Sequence, residues 1–184
     1  MKRVVLIGSE STGKTTLARR LAEHYGVEWV PEFVRDYATE KNAPLDFSDH
    51  GPIARGHMVR EDQYVTRAVS RNAKLLFQDT DLLSTAVYCA HYYGNCPGWI
   101  QQAAQARRPD LYLLLDIDLP WVADPVRDRG DMREEMQSLF RDAVEHSGAP
   151  FVVITGDATQ RFATARTAID DLLIDQEQDT DERR

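Results

Sequence analysis

Gly8-Ser9-Glu10-Ser11-Thr12-Gly13-Lys14-Thr15 matches G-x-x-x-x-G-K-[ST] in full, and its reading decides the fold. Before it, Arg3 to Ile7 is a short apolar strand. After it, Leu17, Leu21 and Tyr25 recur at four-residue spacing on a helix from Lys14 to about Tyr25. Gly8 and Gly13 let the backbone turn tightly, so that the N–H groups of Glu10, Ser11 and Thr12 face inward on a phosphate at the positive end of the helix. Lys14 suits the β and γ phosphates as a mobile charge, the Thr15 hydroxyl suits magnesium, and Thr16 can add a contact to the α phosphate. The stretch predicts binding of a nucleoside triphosphate with Mg2+, and leaves the choice between ATP and GTP open.

Outward from the loop, strands alternate with helices. Val27 to Val30 reads as a second strand, and Pro31 suits the first turn of a helix through Ala38. Phe47 to Asn72 is helical, with Ser48 as its N-cap and a weak point at Gly51-Pro52. Leu75 to Phe77 is a third strand running into Gln78-Asp79-Thr80-Asp81, and Leu82 to Tyr93 is a helix stopped by Gly94-Asn95. Pro97 opens a short helix to about Ala106, and Leu111 to Leu115 is a fourth strand, apolar throughout as a strand covered on both faces would be. Asp118 to Asp131 reads as a loop, Asp131 to His146 as a helix, Phe151 to Ile154 as strand five and Ala158 to Leu173 as the last helix. This order predicts an α/β fold with a five-stranded parallel sheet. One domain over 1–174 accounts for it, followed by an acidic, frayed tail at 175–184.

Composition narrows the partners. The 184 residues are 42% hydrophobic and 28% charged, which fits a globular domain with a core and excludes a low-complexity or disordered chain. The net charge is -8, of which the tail contributes -3, so nucleic acid is an unsuitable partner and a small molecule fits better. Two cysteines, Cys89 and Cys96, make neither a disulfide framework nor a zinc site. No apolar run is long enough for a signal peptide or a membrane span, so the expected location is the cytoplasm. Oligomeric state is left open.

Acidic and basic residues beyond the loop supply candidates for chemistry. Asp79 ends an apolar strand and suits a water-held magnesium, with Asp116 at the end of strand four as the competing choice. Glu32, just past strand two, could accept the proton of an attacking hydroxyl, and Arg35 one turn on could bind phosphate or pair with Glu32. Arg127, Arg129 and Arg133 could form a lid that closes over transferring oxygens. Thr155-Gly156-Asp157 follows strand five, where an adenine base would rest.

Taken with Pro31-Glu32-Phe33-Val34-Arg35-Asp36-Tyr37, Asp79-Thr80-Asp81 with Thr85, and Pro120-Trp121-Val122 with Asp124, Arg127 and Asp128, the loop gives a selective combination. Over residues 1–174 it resembles the ribosylnicotinamide kinase domain of bacterial bifunctional NAD-biosynthesis regulators. The resemblance implies a P-loop nucleoside-kinase-like three-layer sandwich with an arginine-bearing lid. It implies transfer of the γ phosphate of ATP to the 5′ hydroxyl of nicotinamide riboside, giving nicotinamide mononucleotide. By position it makes Lys14, Glu32, Asp79, Arg127 and Arg129 catalytic. Glu32, Arg35 and Asp81 become substrate residues, with Tyr64 as a ring contact. Gly8 to Thr16, Arg133 and Asp157 serve ATP.

Two departures bear on the rest of that family's work. The chain starts two residues before its first strand, and the nearest echo of an adenylyltransferase H-x-G-H is Ala54-Arg55-Gly56-His57, which lacks the first histidine and follows no strand. Neither an adenylyltransferase nor a DNA-binding activity is expected. Two other readings share the loop: a kinase for another nucleoside or nucleoside monophosphate, and a nucleotide-dependent switch. The second is weakened by Asp116-Ile117-Asp118 standing where a guanine-specific N-K-x-D would follow strand four.

Overall fold

The computed structural model describes residues 1–120 and 132–181. Chain order is β1 (Lys2–Ile7), α1 (Lys14–Tyr25), β2 (Trp29–Val30), α2 (Phe33–Lys41), a one-turn 3-10 helix (Phe47–Asp49) and α3 (His50–Ser70). Then come β3 (Leu75–Asp79), α4 (Leu82–Tyr93), α5 (Gly98–Ala106), β4 (Leu111–Leu115), α6 (Arg133–Ser147), β5 (Phe151–Ile154) and α7 (Ala158–Asp181). The five strands form one parallel sheet in the order β2-β3-β1-β4-β5. The loop-bearing strand β1 is therefore central, with the acidic ends of β3 and β4 on either side of it.

Alternation along each strand builds the three layers. Val4, Leu6, Leu75, Phe77, Leu111, Leu113 and Leu115 pack on Leu17, Ala18 and Leu21 of α1 and on Ala165 and Ile169 of α7. Val5, Ile7, Tyr112 and Leu114 face the other way, onto Met136, Phe140 and Val144 of α6. Val30 and Leu76 meet Ala68 of α3 on that second face, while α4 and α5 join through Leu82, Ala86, Cys89, Ile100 and Ala104. Cys89 and Cys96 are free and buried. No helix among the described residues is long and apolar enough to cross a membrane.

Several boundaries differ from the sequence pattern for local reasons. β2 shortens to Trp29–Val30, and Pro31 belongs to a bend rather than to a helical turn, because Glu32 keeps an extended backbone (φ -57°, ψ 119°) and α2 starts at Phe33. Asp46, not Ser48, caps the next helical segment: its carboxylate accepts from Ser48 N at 2.8 Å, and Asp49 returns the favour at Asp46 N at 2.7 Å. Pro52 does not weaken α3, since it falls in the first turn, where its missing N–H leaves no intrahelical bond unmade. Helix α7 continues past Leu173 to Asp181. Trp121, Val122, Asp124, Arg127, Asp128 and Arg129 lie outside the described residues, and the expected arginine-bearing lid lies there with them, apart from Arg133.

Candidate active site

The loop between β1 and α1 is built against the end of β4. At Gly8, where φ is +137°, a Cβ would stand 2.6 Å from the carbonyl oxygen of Leu115, so no other residue fits without moving the strand. Gly13 takes φ +83° as the N-cap of α1, which has neither a side-chain cap nor an acid in its first turn. The positive end of the helix is left to the loop. Ser9, Thr12 and Lys14 are buried, Ser11 adopts φ 53°, Glu10 is half-buried, and Thr16 is exposed on α1. Thr12 Oγ1 donates to the Ser9 carbonyl at 2.9 Å, and Lys14 Nζ folds back to the carbonyls of Gly8 (3.0 Å) and Ser9 (2.8 Å).

Helix α6 steadies this loop from behind. Gln137 Oε1 accepts from Ser9 N at 3.2 Å while its Nε2 donates to the Leu115 carbonyl at 2.9 Å. One turn earlier, Arg133 Nη1 donates to the Leu119 carbonyl at 3.1 Å, and its Nε and Nη2 are buried without an acceptor among the described residues. Buried guanidinium donors of this kind suit an anion.

Asp79 completes the inner wall. It sits beside Leu6 at the end of β3, is 1% exposed, and accepts from Thr15 Oγ1 at 2.5 Å through Oδ2. Its Oδ1 is buried with no hydrogen-bond partner among the described residues. Burial first and the charge of Glu32 second hold its carboxyl above the usual range, against the pull of Lys14, the Thr15 hydroxyl and Arg35. An orphaned carboxylate oxygen next to a threonine hydroxyl fits a hard, oxygen-seeking cation such as Mg2+. No group of three acids, histidines or cysteines converges among the described residues. The competing Asp116 spends an oxygen on the next N–H, Ile117 N at 2.8 Å.

Glu32 and Arg35 are brought to the same edge, where Glu32 Oε2 and Arg35 Nη2 pair at 3.3 Å. Pairing is one of the two roles open to Arg35. Three other expected contacts have different parts. Asp81 is buried, its Oδ1 capping α4 through Leu83 N (3.0 Å) and Ser84 N (3.2 Å) and its Oδ2 accepting from Tyr112 at 2.6 Å. Both oxygens thus accept hydrogen bonds from within the fold. The half-buried Tyr64 ring packs with Val30, Ala68 and Leu76, and the Arg67 guanidinium stands 3.9 Å from its centroid. Asp157 caps α7, accepting from Thr159 N (2.8 Å) and Gln160 N (3.0 Å).

One residue at this edge carries no sequence signal. Arg161, 3% exposed, donates to the carbonyls of Thr12 (2.6 Å), Gly156 (2.8 Å) and Asp116 (2.9 Å) and pairs with Asp118. It ties the phosphate loop to the ends of β4 and β5. Nothing about an arginine in a helix marks it, because two of its three partner segments, at Thr12 and at Asp116 to Asp118, are distant in sequence.

Known proteins share this arrangement. The trifunctional NAD biosynthesis/regulator protein NadR of Escherichia coli (strain K12) is 32% identical over 183 residues, covering 96% of this chain and 44% of its own length. NadR of Salmonella typhimurium is 31% identical over the same shares. The chain thus spans less than half of the curated relatives it matches. Among solved structures, a NadR protein in complex with NR superposes with a TM-score of 0.68 at 25% identity, over 88% of this chain and 47% of that one. A NadR protein in complex with NAD and AMP-PNP gives 0.72 at 24% identity, over 93% and 49%. Thymidylate kinase from Ehrlichia chaffeensis gives 0.65 at 16% identity, over 91% and 98%, a likeness of fold. The AAA domain family (AAA_28) matches residues 3–161. With the phosphate loop, the central β1 and that match in agreement, the chain belongs to the AAA domain family and, within the P-loop kinase fold, resembles the NadR proteins.

Proposed function

We propose that this domain transfers the γ phosphate of ATP to the 5′ hydroxyl of nicotinamide riboside, giving nicotinamide mononucleotide. The observation that carries the reading is the placement of Glu32, two residues past the end of β2, and Asp79, at the end of the neighbouring β3, at one end of the sheet, with the phosphate loop following β1 beside them. Likeness to a NadR protein in complex with NR supplies the acceptor. Nicotinamide riboside is a cation, and a site with two carboxylates favours a cationic acceptor.

In this reading the loop N–H groups and Lys14 hold the β and γ phosphates, and Arg133 adds its buried donors. Asp79 and Thr15 would hold Mg2+, which when bound neutralises charge on the β and γ oxygens. Glu32 orients the 5′ hydroxyl and takes its proton as the new P–O bond forms and the bond to ADP breaks. Arg35 holds Glu32 in place through their pair.

The test is product identity. The wild-type chain with ATP, Mg2+ and nicotinamide riboside should yield ADP and an acceptor heavier by one phosphoryl group, read by mass spectrometry. Lys14→Ala should make neither while keeping its thermal transition. A phosphorylated acceptor other than nicotinamide riboside would retain the kinase and change the substrate; the likeness to thymidylate kinase makes nucleoside monophosphates the second acceptor class to try.

A further inference from the structure

Helix α2, which follows directly on Glu32, has no buried residue of its own, so something outside it must fix the bend that carries this carboxylate. Two residues of α3, one turn apart on the same face, do so. The Phe33 ring lies on Gly56: a Cβ there would stand 2.0 Å from Phe33 Cζ. Over the same ring, at 4.7 Å from its centroid, stands the Arg60 guanidinium. Its Nη1 donates to the carbonyls of Pro31 (3.4 Å) and Glu32 (3.3 Å), and its Nη2 donates to Asp36 at 2.7 Å. One planar group thus touches the strand side of the bend, the ring at its apex and the first turn of α2.

We propose that Gly56 and Arg60 are positioning residues for Glu32, a socket and a clamp that set the acceptor carboxylate from a helix outside the phosphate loop. The proposal rests on the kinase reading above for its catalytic consequence and on the geometry alone for its structural one. Charge is the lesser part of the effect. Asp36 is 59% exposed, so that ion pair contributes little by itself. The fork matters more, because a lysine ammonium cannot reach the two carbonyls and the carboxylate together while covering the ring. This also gives the glycine of Ala54-Arg55-Gly56-His57 a packing role.

The experiment compares R60K, G56A, F33A and F33A/G56A with the wild-type full chain. Steady-state turnover is measured with ATP, Mg2+ and nicotinamide riboside, and amide hydrogen exchange over 32–37 without any acceptor. R60K and G56A should lower kcat roughly 10- to 100-fold with KM for ATP within about twofold, since misplacement of a reacting group acts on the chemical step. F33A/G56A should be no slower than F33A alone, because Gly56 serves the ring. Exchange at 32–37 should rise in both R60K and G56A. Variants that lose thermal stability but keep wild-type kcat, or that leave exchange at these amides unchanged, overturn the assignment. If exchange rises as expected while the wild-type chain never phosphorylates nicotinamide riboside, the clamp stands and the substrate falls.

Discussion

Thr15 Oγ1 donates to Asp79 Oδ2 at 2.5 Å, joining the first turn of α1 to the end of β3 across 64 positions of sequence. The bond brings a hydroxyl and a carboxylate to one point beside the phosphate loop, and the second oxygen of Asp79 is left buried and unpartnered among the described residues. A pair so arranged costs the protein free energy until a cation reaches it, because the charge is desolvated.

Asp79→Asn and Thr15→Ala should therefore separate metal use from folding. The concentration of Mg2+ needed for half-maximal turnover should rise by about tenfold or more in each. Asp79→Asn removes a buried charge whose carboxyl is already pushed upward, so its melting temperature should be equal to or above that of the wild type. A large drop in melting temperature with an unaltered Mg2+ requirement would make the pair structural.

Arg161→Met should damage the nucleotide side. It leaves the carbonyls of Thr12, Gly156 and Asp116 without their buried donor. Breaking such a network costs about 3 kcal/mol or more, a fall in melting temperature on the order of 10 °C, measured by calorimetry. Affinity for ATP should fall with it, since Thr12 is part of the phosphate loop. Unchanged ATP binding in the variant would confine Arg161 to a packing role.

The residues that could be read from the sequence are those whose neighbours in space are also neighbours in sequence. Gly8 to Thr15 is a contiguous loop with a fixed chemistry, and Asp79 closes an apolar run, so both were legible with the strands around them. Arg161 was not, because its partner Thr12 is 149 positions away. Gly56 was read only against a motif it does not complete, since its contact with Phe33 is one of shape between two helices. Asp46 and Ser48 are both good N-cap residues, and only the backbone geometry separates them. Asp81 ends in the same acidic cluster as Asp79, yet one carboxylate faces Thr15 and the other caps a helix, a difference set by the left-handed backbone of Thr80 (φ 66°), which takes the chain out of the strand between them.

His57 gives the fold a dependence on acid. Burial first, then Arg60 and Arg107, push its pKa down to about 4 from an ordinary 6.5. Between those values the unfolded chain takes a proton that the folded chain refuses, so stability is lost as pH falls through the window, and the residue contributes nothing at pH 7. At pH 5 the loss is about 2 kcal/mol. Asp81, with its carboxyl raised to about 6 mainly by burial, acts with the opposite sign over the same range, so the comparison must be between variants. Urea unfolding of the wild type and His57→Gln at pH 7 and pH 5 should show the variant losing less on acidification. Equal losses would remove His57 as the source.

Whether this site passes a phosphoryl group to nicotinamide riboside is read by ADP release with ATP and Mg2+ across a panel of acceptors. The panel holds nicotinamide riboside, other nucleosides, nucleoside monophosphates and no acceptor. Nicotinamide riboside alone should stimulate release strongly, an effect lost in Lys14→Ala and sharply reduced in Glu32→Gln. Stimulation by a different acceptor, or ADP release indifferent to every acceptor, would contradict transfer to nicotinamide riboside.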